Sequence, residues 1–217
     1  MNIRAVLFDL DGTLIDSLGD LTDAVNHMLA GFNRSGLGPA EIRPLVGKGA
    51  RNLVQRALGT DDVALIERGL ARFLEYNSSH IAVKSTLYPG AREALECLVG
   101  HNIALAAISN KNESLCRSIL EALHLNTFFE IICGGDTFEE MKPSPLPLLK
   151  TVERLSVPVN CAVMVGDSSN DIQAGIRAGI ATVGCNWGYG YPEELRGANH
   201  LAVSCHDLIR ILLQRES

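Results

Sequence analysis

Near the start of the chain an apolar run, Ala5-Val6-Leu7-Phe8, meets Asp9, Leu10 and Asp11, followed by Gly12 and Thr13. Aspartate is a poor strand former, so two of them at a strand end, one residue apart, have no rationale in sheet stability. Close carboxylates repel each other, and an unpartnered one holds a proton. A hard divalent cation resolves the conflict. Mg²⁺ takes oxygen ligands in octahedral geometry and completes its shell with waters and substrate phosphate. Gly12 lets the backbone turn sharply, and the N–H groups around Asp11, Gly12 and Thr13 can form an anion nest.

Other residues suit the same chemistry. Ser109 and Asn110 end the stretch "NIALAAISN". Asp167 ends "CAVMVGD", with Asp171 shortly after, and Lys142 stands before Pro143 and a helix-like run. If they share one edge, Asp9 and Asp167 can supply two carboxylates to a metal, while Ser109 and Lys142 suit phosphate oxygens. Each also has an ordinary reading. Lys142 alone is a surface lysine and Ser109 alone a turn residue. Asp171 can cap the helix that follows it, with Asn170 as competitor; Ser17 reads as a helix cap, and Asp16 as a cap or a hinge.

What must position these residues is a set of short apolar strands alternating with helices. The stretches 4–10, 102–110, 128–136, 161–171, 180–188 and 200–203 read as strands. Helical periodicity runs through 90–100, 112–125, 144–156 and 170–180. Near-continuous apolar strands alternating with helices predict a buried parallel sheet with helices on both faces, a Rossmann-like α/β core. In such a sheet ligands bind at the carboxyl ends of the strands, where all these polar residues fall. One block breaks the alternation. Residues 17–32, 39–47, 49–58 and 62–80 all read as helices, with no strand between Leu14 and about Lys84. The expected organisation is a core of residues 1–14 and 86–217 with an inserted helical cap of residues 15–85.

Composition sets outer limits. The 217 residues are 47% hydrophobic and 20% charged, which suits a globular protein with a sizeable core. A net charge of −6 gives no global basic field for nucleic acid, so an anionic substrate must be met by a local positive site. No apolar run is long enough to cross a membrane, and the N-terminal apolar run, broken by Asp9, does not suit a signal peptide. Six scattered cysteines without a C-x-x-C pair point to reduced, mostly buried thiols in a cytoplasmic protein.

"DLDGT", a strand ending "SN", "KP" before a helix and "GDSSND" occur in that order. Together they resemble the haloacid dehalogenase superfamily of phosphotransferases, across essentially the whole chain, and the 15–85 block is similar to that superfamily's helical cap. "VGKGARNLVQRAL", "YPGAREALECL" and "GGDTFEEMKPSPLPLL" are similar to its phosphoglycolate phosphatase branch. The resemblance implies Mg²⁺-dependent hydrolysis of a small phosphate monoester, 2-phosphoglycolate first. Asp9 would be the nucleophile that forms an aspartyl-phosphate. Asp11 would move protons to the leaving oxygen and from water, and bind Mg²⁺ through its carbonyl. Asp167 would be a direct metal ligand, and Asp171 a further ligand or its support. Ser109, Asn110, Gly12 and Thr13 would hold phosphate, with Lys142 neutralising Asp9 and the transferring group. In the cap, Lys48 or Arg51 could reach a carboxylate on the substrate; otherwise both are solvated helix-start cations. Other esters (a sugar phosphate, phosphoserine, a nucleotide monophosphate), a sugar-phosphate mutase and a non-catalytic phosphometabolite sensor are the alternative readings. A monomer or homodimer is expected.

Overall fold

A computed structural model describes residues 2–213; residue 1 and residues 214–217, at the outer ends of the expected core, lie outside it. Six parallel strands form one sheet: β1 (Ala5–Phe8), β4 (Ala104–Ile108), β5 (Ile131–Cys133), β6 (Ala162–Gly166), β7 (Ala181–Cys185) and β8 (His200–Ala202), in the order β5-β4-β1-β6-β7-β8. Side chains alternate across a strand, and here both faces are buried. Val6 and Phe8 of β1, Leu105 and Ala107 of β4, and Val163 and Val165 of β6 enter one apolar cluster. Ala5 and Leu7, Ala106 and Ile108, and Ala162 and Met164 enter the cluster on the other face. Burial on both sides is why these strands are apolar throughout.

The first strand is central. Phe8 is in register with Ala107 of β4 and Val165 of β6, so the residues following these three strands emerge side by side. The sheet is covered by α5 (Ala91–Gly100), α6 (Glu113–Ala122), α7 (Leu146–Arg154), α8 (Ser169–Ala178) and α9 (Cys205–Leu213).

Between β1 and α5 the chain builds the helical cap: α1 (Leu18–Ala30), the short α2 (Pro39–Ile42), α3 (Gly49–Leu58) and α4 (Val63–Ser79). These helices have their own core, in which Leu21, Val25 and Met28 of α1 meet Val54 and Leu58 of α3 and Ile66 and Phe73 of α4. The chain leaves the sheet through β2 (Ile15–Asp16) and returns through β3 (Thr86–Leu87), which pair antiparallel. Buried Asp20 fastens the two crossings, accepting from the Ser85 amide at 2.8 Å and the Ser85 hydroxyl at 2.6 Å.

Several boundaries differ from the sequence expectation. β2 lies where no strand was expected, because two residues carry no periodic signal. The helix expected over 39–47 stops at Ile42 and continues as a 3₁₀ turn, Arg43–Leu45; Pro44 lacks an N–H and disfavours a helical residue before it. The 128–136 stretch is a strand only over Ile131–Cys133, and 161–171 only to Gly166, after which Ser168 caps α8.

Candidate active site

The carboxyl ends of β1, β4 and β6 and the loop before α7 converge. Asp9 follows β1 and donates its N–H to Val165 O at 2.9 Å, which locks its backbone against β6. Asp167 follows β6, and Asp171 lies in the first turn of α8. One carboxylate oxygen from each of Asp9, Asp167 and Asp171 lies within 4.8 Å of the others. The three are 8%, 2% and 1% exposed. Among the described residues, Lys142 is the cation paired with this cluster. Its Nζ donates to Asp9 Oδ1 at 2.9 Å, to Asp171 Oδ1 at 2.6 Å and to the carbonyl of Ile108.

Burial decides the electrostatics. It pushes the Asp9 carboxyl up to about 6 even though Lys142 pulls the other way. Burial, then repulsion from Asp9 and Asp171, pushes Asp167 up to about 8. Burial opposes the charge on Lys142, but Asp171 and Asp9 outweigh it and hold the ammonium protonated beyond its ordinary range. Three buried carboxylates facing one ammonium form a site short of positive charge, and hard oxygen donors suit a divalent cation such as Mg²⁺.

Glycines let the backbone close around Asp167. Gly12 has φ +90°, and a Cβ there would sit 2.3 Å from Asp167 Oδ2. A Cβ on Gly188, in the loop after β7, would meet the same carboxylate at 2.4 Å. The loop returns hydrogen bonds, from Tyr189 N at 2.6 Å and Gly190 N at 3.3 Å to Asp167 Oδ2. The Thr13 hydroxyl donates to Asp167 Oδ1 at 3.3 Å.

Asp11 faces another set of partners. Lys111 Nζ contacts both its oxygens, at 3.0 and 2.8 Å, and the Ser17 hydroxyl donates to Oδ1 at 2.6 Å. Sequence reasoning missed Lys111; its signal was its place directly after Ser109 and Asn110 at a strand end. Tyr189 was missed too. Its hydroxyl accepts from Ser17 N at 2.6 Å and donates to Asp16 Oδ1 at 2.9 Å, tying the loop after β7 to the first crossing. Ser17 thus stands at the cap position of α1 but makes no side-chain cap bond; it holds Asp11 instead. Asp171 is not the cap of α8, which is Ser168; it accepts from Ser168 N at 3.1 Å and Ser168 Oγ at 2.7 Å while it pairs with Lys142.

Three sequence expectations need correction. The N–H groups of Gly12 and Thr13 are already bonded, to Ile15 O at 2.8 Å and Leu10 O at 3.1 Å. Those of Leu10 and Asp11 make no backbone hydrogen bond among the described residues, so any nest shifts toward Asp9. Asn110 lines a chamber with Ser109, but its NH₂ group is already engaged. Its Nδ2 donates to Gly47 O at 2.9 Å and Lys142 O at 2.8 Å. With Asn170, which donates to Gly47 O at 3.2 Å, it fastens the cap loop to the core. Arg51 is exposed, pairs with Glu67 at 3.0 Å, and lines neither cavity that reaches Asp9.

Two cavities meet at Asp9 and Asp11. Ser109 and Lys142 line a small, partly open chamber of about 50 Å³ between core and cap. A polar cleft of about 350 Å³ opens past Asp167, Lys48 and Arg43. Arg43 closes one side of it, donating to Gly188 O at 2.7 Å and Tyr189 O at 2.9 Å. Lys48 is exposed and makes no hydrogen bond or ion pair among the described residues.

Known proteins match this arrangement. The chain is 41% identical to a phosphoglycolate phosphatase of Chromobacterium violaceum over 87% of each chain. It is 42% identical to one of Neisseria meningitidis over 87% of this chain and 83% of that one. A crystal structure described as a predicted phosphoglycolate phosphatase from Haemophilus somnus superposes with a TM-score of 0.91 at 30% identity, covering 97% of this chain and 98% of that one. The haloacid dehalogenase-like hydrolase pattern matches residues 6–185. With its parallel core, helical cap and acid-lysine cluster at the strand ends, the chain belongs to the haloacid dehalogenase-like hydrolase family, in the phosphoglycolate phosphatase-like branch of phosphoric monoester hydrolases.

Proposed function

We propose that the chain hydrolyses a small phosphate monoester, 2-phosphoglycolate first, through an aspartyl-phosphate on Asp9. The observation that carries this reading is the placement of Asp9: a buried carboxylate at the end of the central strand, held 2.9 Å from Lys142 Nζ and lining both cavities. Asp9 attacks phosphorus and the ester P–O bond breaks. Asp11 gives a proton to the departing oxygen, which leaves as the alcohol. Asp11 then takes a proton from the water that attacks the aspartyl-phosphate, releasing phosphate and restoring Asp9. Lys111 and Ser17 keep Asp11 in place between the two steps. Ser109 and the N–H groups of Leu10 and Asp11 hold phosphate oxygens, and Lys142, whose three protons go to Asp9, Asp171 and Ile108 O, neutralises Asp9 and the transferring group by its charge.

Asp9, Asp167 and the carbonyl of Asp11 would hold Mg²⁺, with Asp171 supporting the set through Lys142. Bound there, Mg²⁺ neutralises the phosphate and the acids around it, the main requirement of phosphoryl transfer. Residues 15–85 act as the moving cap, opening at β2 and β3 to admit substrate and closing to exclude water. Lys48, at the mouth of the polar cleft, draws in an anionic substrate. The free state of all six thiols supports a cytoplasmic setting.

The test is phosphate release with Mg²⁺ across a panel of 2-phosphoglycolate, phosphoserine, sugar phosphates and nucleotide monophosphates, read as relative kcat/KM. The highest value belongs to 2-phosphoglycolate, and Asp9→Asn abolishes release. Release by Asp9→Asn at the wild-type rate would remove the nucleophile from this reading.

A further inference from the structure

The small chamber has a wall that phosphoryl transfer does not explain. Leu21 of α1, Leu53 of α3, Phe73 of α4 and Leu115 of α6 make it apolar. Among them stands Asn77, near the end of α4. It is 2% exposed, and its Nδ2 has no hydrogen-bond partner among the described residues. A buried donor without a partner is unfavourable in a folded protein and rare in native ones. The cap core gives no reason for it, since α4 turns Ile66 and Phe73 to the same interior and an apolar residue of similar size would pack without an unmet donor. Asn77 lines the chamber that Asp9 and Asp11 also line, so its unmet donor is open to an acceptor on a ligand there. Lys111 lines the same chamber and supplies positive charge.

We infer that Asn77 is a specificity-determining residue, whose Nδ2 donates a hydrogen bond to an acceptor oxygen on the leaving-group end of the ester, turned inward to the chamber rather than out along the polar cleft. The inference rests on the phosphatase reading and deepens it by naming the substrate class. The chamber, about 50 Å³, also borders Asp9 and Ser109, where the phosphate sits, so little room is left beyond the phosphate. With the cap closed it takes a leaving group of a few heavy atoms, part methylene against the apolar wall and part carboxylate or carbonyl against Asn77. A sugar or nucleoside leaving group holds the cap open.

The experiment compares 2-phosphoglycolate with ethyl phosphate, which lacks the acceptor, in the wild type, Asn77→Leu, Asn77→Ala and Lys48→Met. The wild type prefers 2-phosphoglycolate. In Asn77→Leu and Asn77→Ala that preference in kcat/KM falls ~10- to 100-fold, mainly through KM, and the Tm of Asn77→Leu equals or exceeds that of the wild type because an unmet amide is gone. Equal losses on both esters would make Asn77 a structural residue and overturn the inference. So would an unchanged preference, which assigns the amide to water, or a preference lost in Lys48→Met alone, which turns the leaving group to the cleft. A wild type that prefers ethyl phosphate overturns it as well. If the wild type releases phosphate from no ester in the wider panel, the phosphatase reading fails and this inference with it. If it hydrolyses the panel and Asn77→Leu keeps the wild-type preference, this inference alone falls.

Discussion

Lys111 holds Asp11 by both carboxylate oxygens, at 3.0 and 2.8 Å, in a pair whose side chains are 7% and 11% exposed. Breaking such a pair strands a buried charge, at a cost of about 3–5 kcal/mol. Lys111→Met is therefore expected to lower Tm by several degrees. It also frees Asp11 from its working position, so kcat falls ~10²-fold while KM for small esters changes less. Steady-state kinetics and thermal unfolding on one preparation check both. A variant with wild-type kcat would show that Asp11 needs no such anchor.

The acid cluster makes stability depend on pH and metal together. Folding raises the Asp9 carboxyl from 3.8 to about 6 and that of Asp167 from 3.8 to about 8. Across this range the folded, metal-free chain keeps protons that the unfolded chain has lost. These two groups therefore stabilise the fold most at low pH, and the contribution is lost as pH rises through about 6 and then about 8. A divalent cation removes the repulsion that builds up. The gain in Tm on adding Mg²⁺ should be small at about pH 5.5 and several degrees larger at about pH 8.5. Equal gains at both values would place the ion elsewhere.

Gly12 tests the close packing around Asp167. Alanine there would meet Asp167 Oδ2 at 2.3 Å in a backbone with φ +90°. The strain amounts to about 1–3 kcal/mol, and Asp167 has to move. Gly12→Ala should fold with a lower Tm, lose at least ~10²-fold in kcat/KM, with carboxylate placement as the cause, and need more Mg²⁺ for half-maximal activity. Wild-type Mg²⁺ dependence in a folded Gly12→Ala would separate Asp167 from the metal.

Gly47 O accepts from Asn110 Nδ2 at 2.9 Å and Asn170 Nδ2 at 3.2 Å, so two core residues hold the cap loop shut. Asn170→Ala removes one bond and leaves the acid cluster untouched. Hydrogen exchange at residues 46–49 should rise, and KM should increase a few-fold as the closed state loses about 1 kcal/mol. Unchanged exchange would show that Asn110 closes the loop unaided.

How legible this site was in the sequence depended on whether each residue's reason was local. Asp9, Asp11 and Asp167 stood out because an acid at the end of an apolar strand is out of place there. The parallel sheet was legible because both its faces are buried. Lys111, Ser17 and Tyr189 were not, because their roles depend on which strand ends become neighbours and on where the loop after β7 folds back. Asn110 has the expected place and a different task, set by Gly47 arriving from the cap. Lys48 and Arg51 are close in sequence, yet the turn of α3 sends one to the cleft mouth and the other to Glu67.

The most direct measurement is an acid quench during turnover of labelled 2-phosphoglycolate with Mg²⁺, followed by mass spectrometry of the peptide carrying Asp9. Phosphate is expected bound covalently to Asp9, released by hydroxylamine as an acyl phosphate is, and absent in Asp9→Asn. Full turnover with the peptide never phosphorylated, together with phosphate release by Asp9→Asn at the wild-type rate, would contradict it.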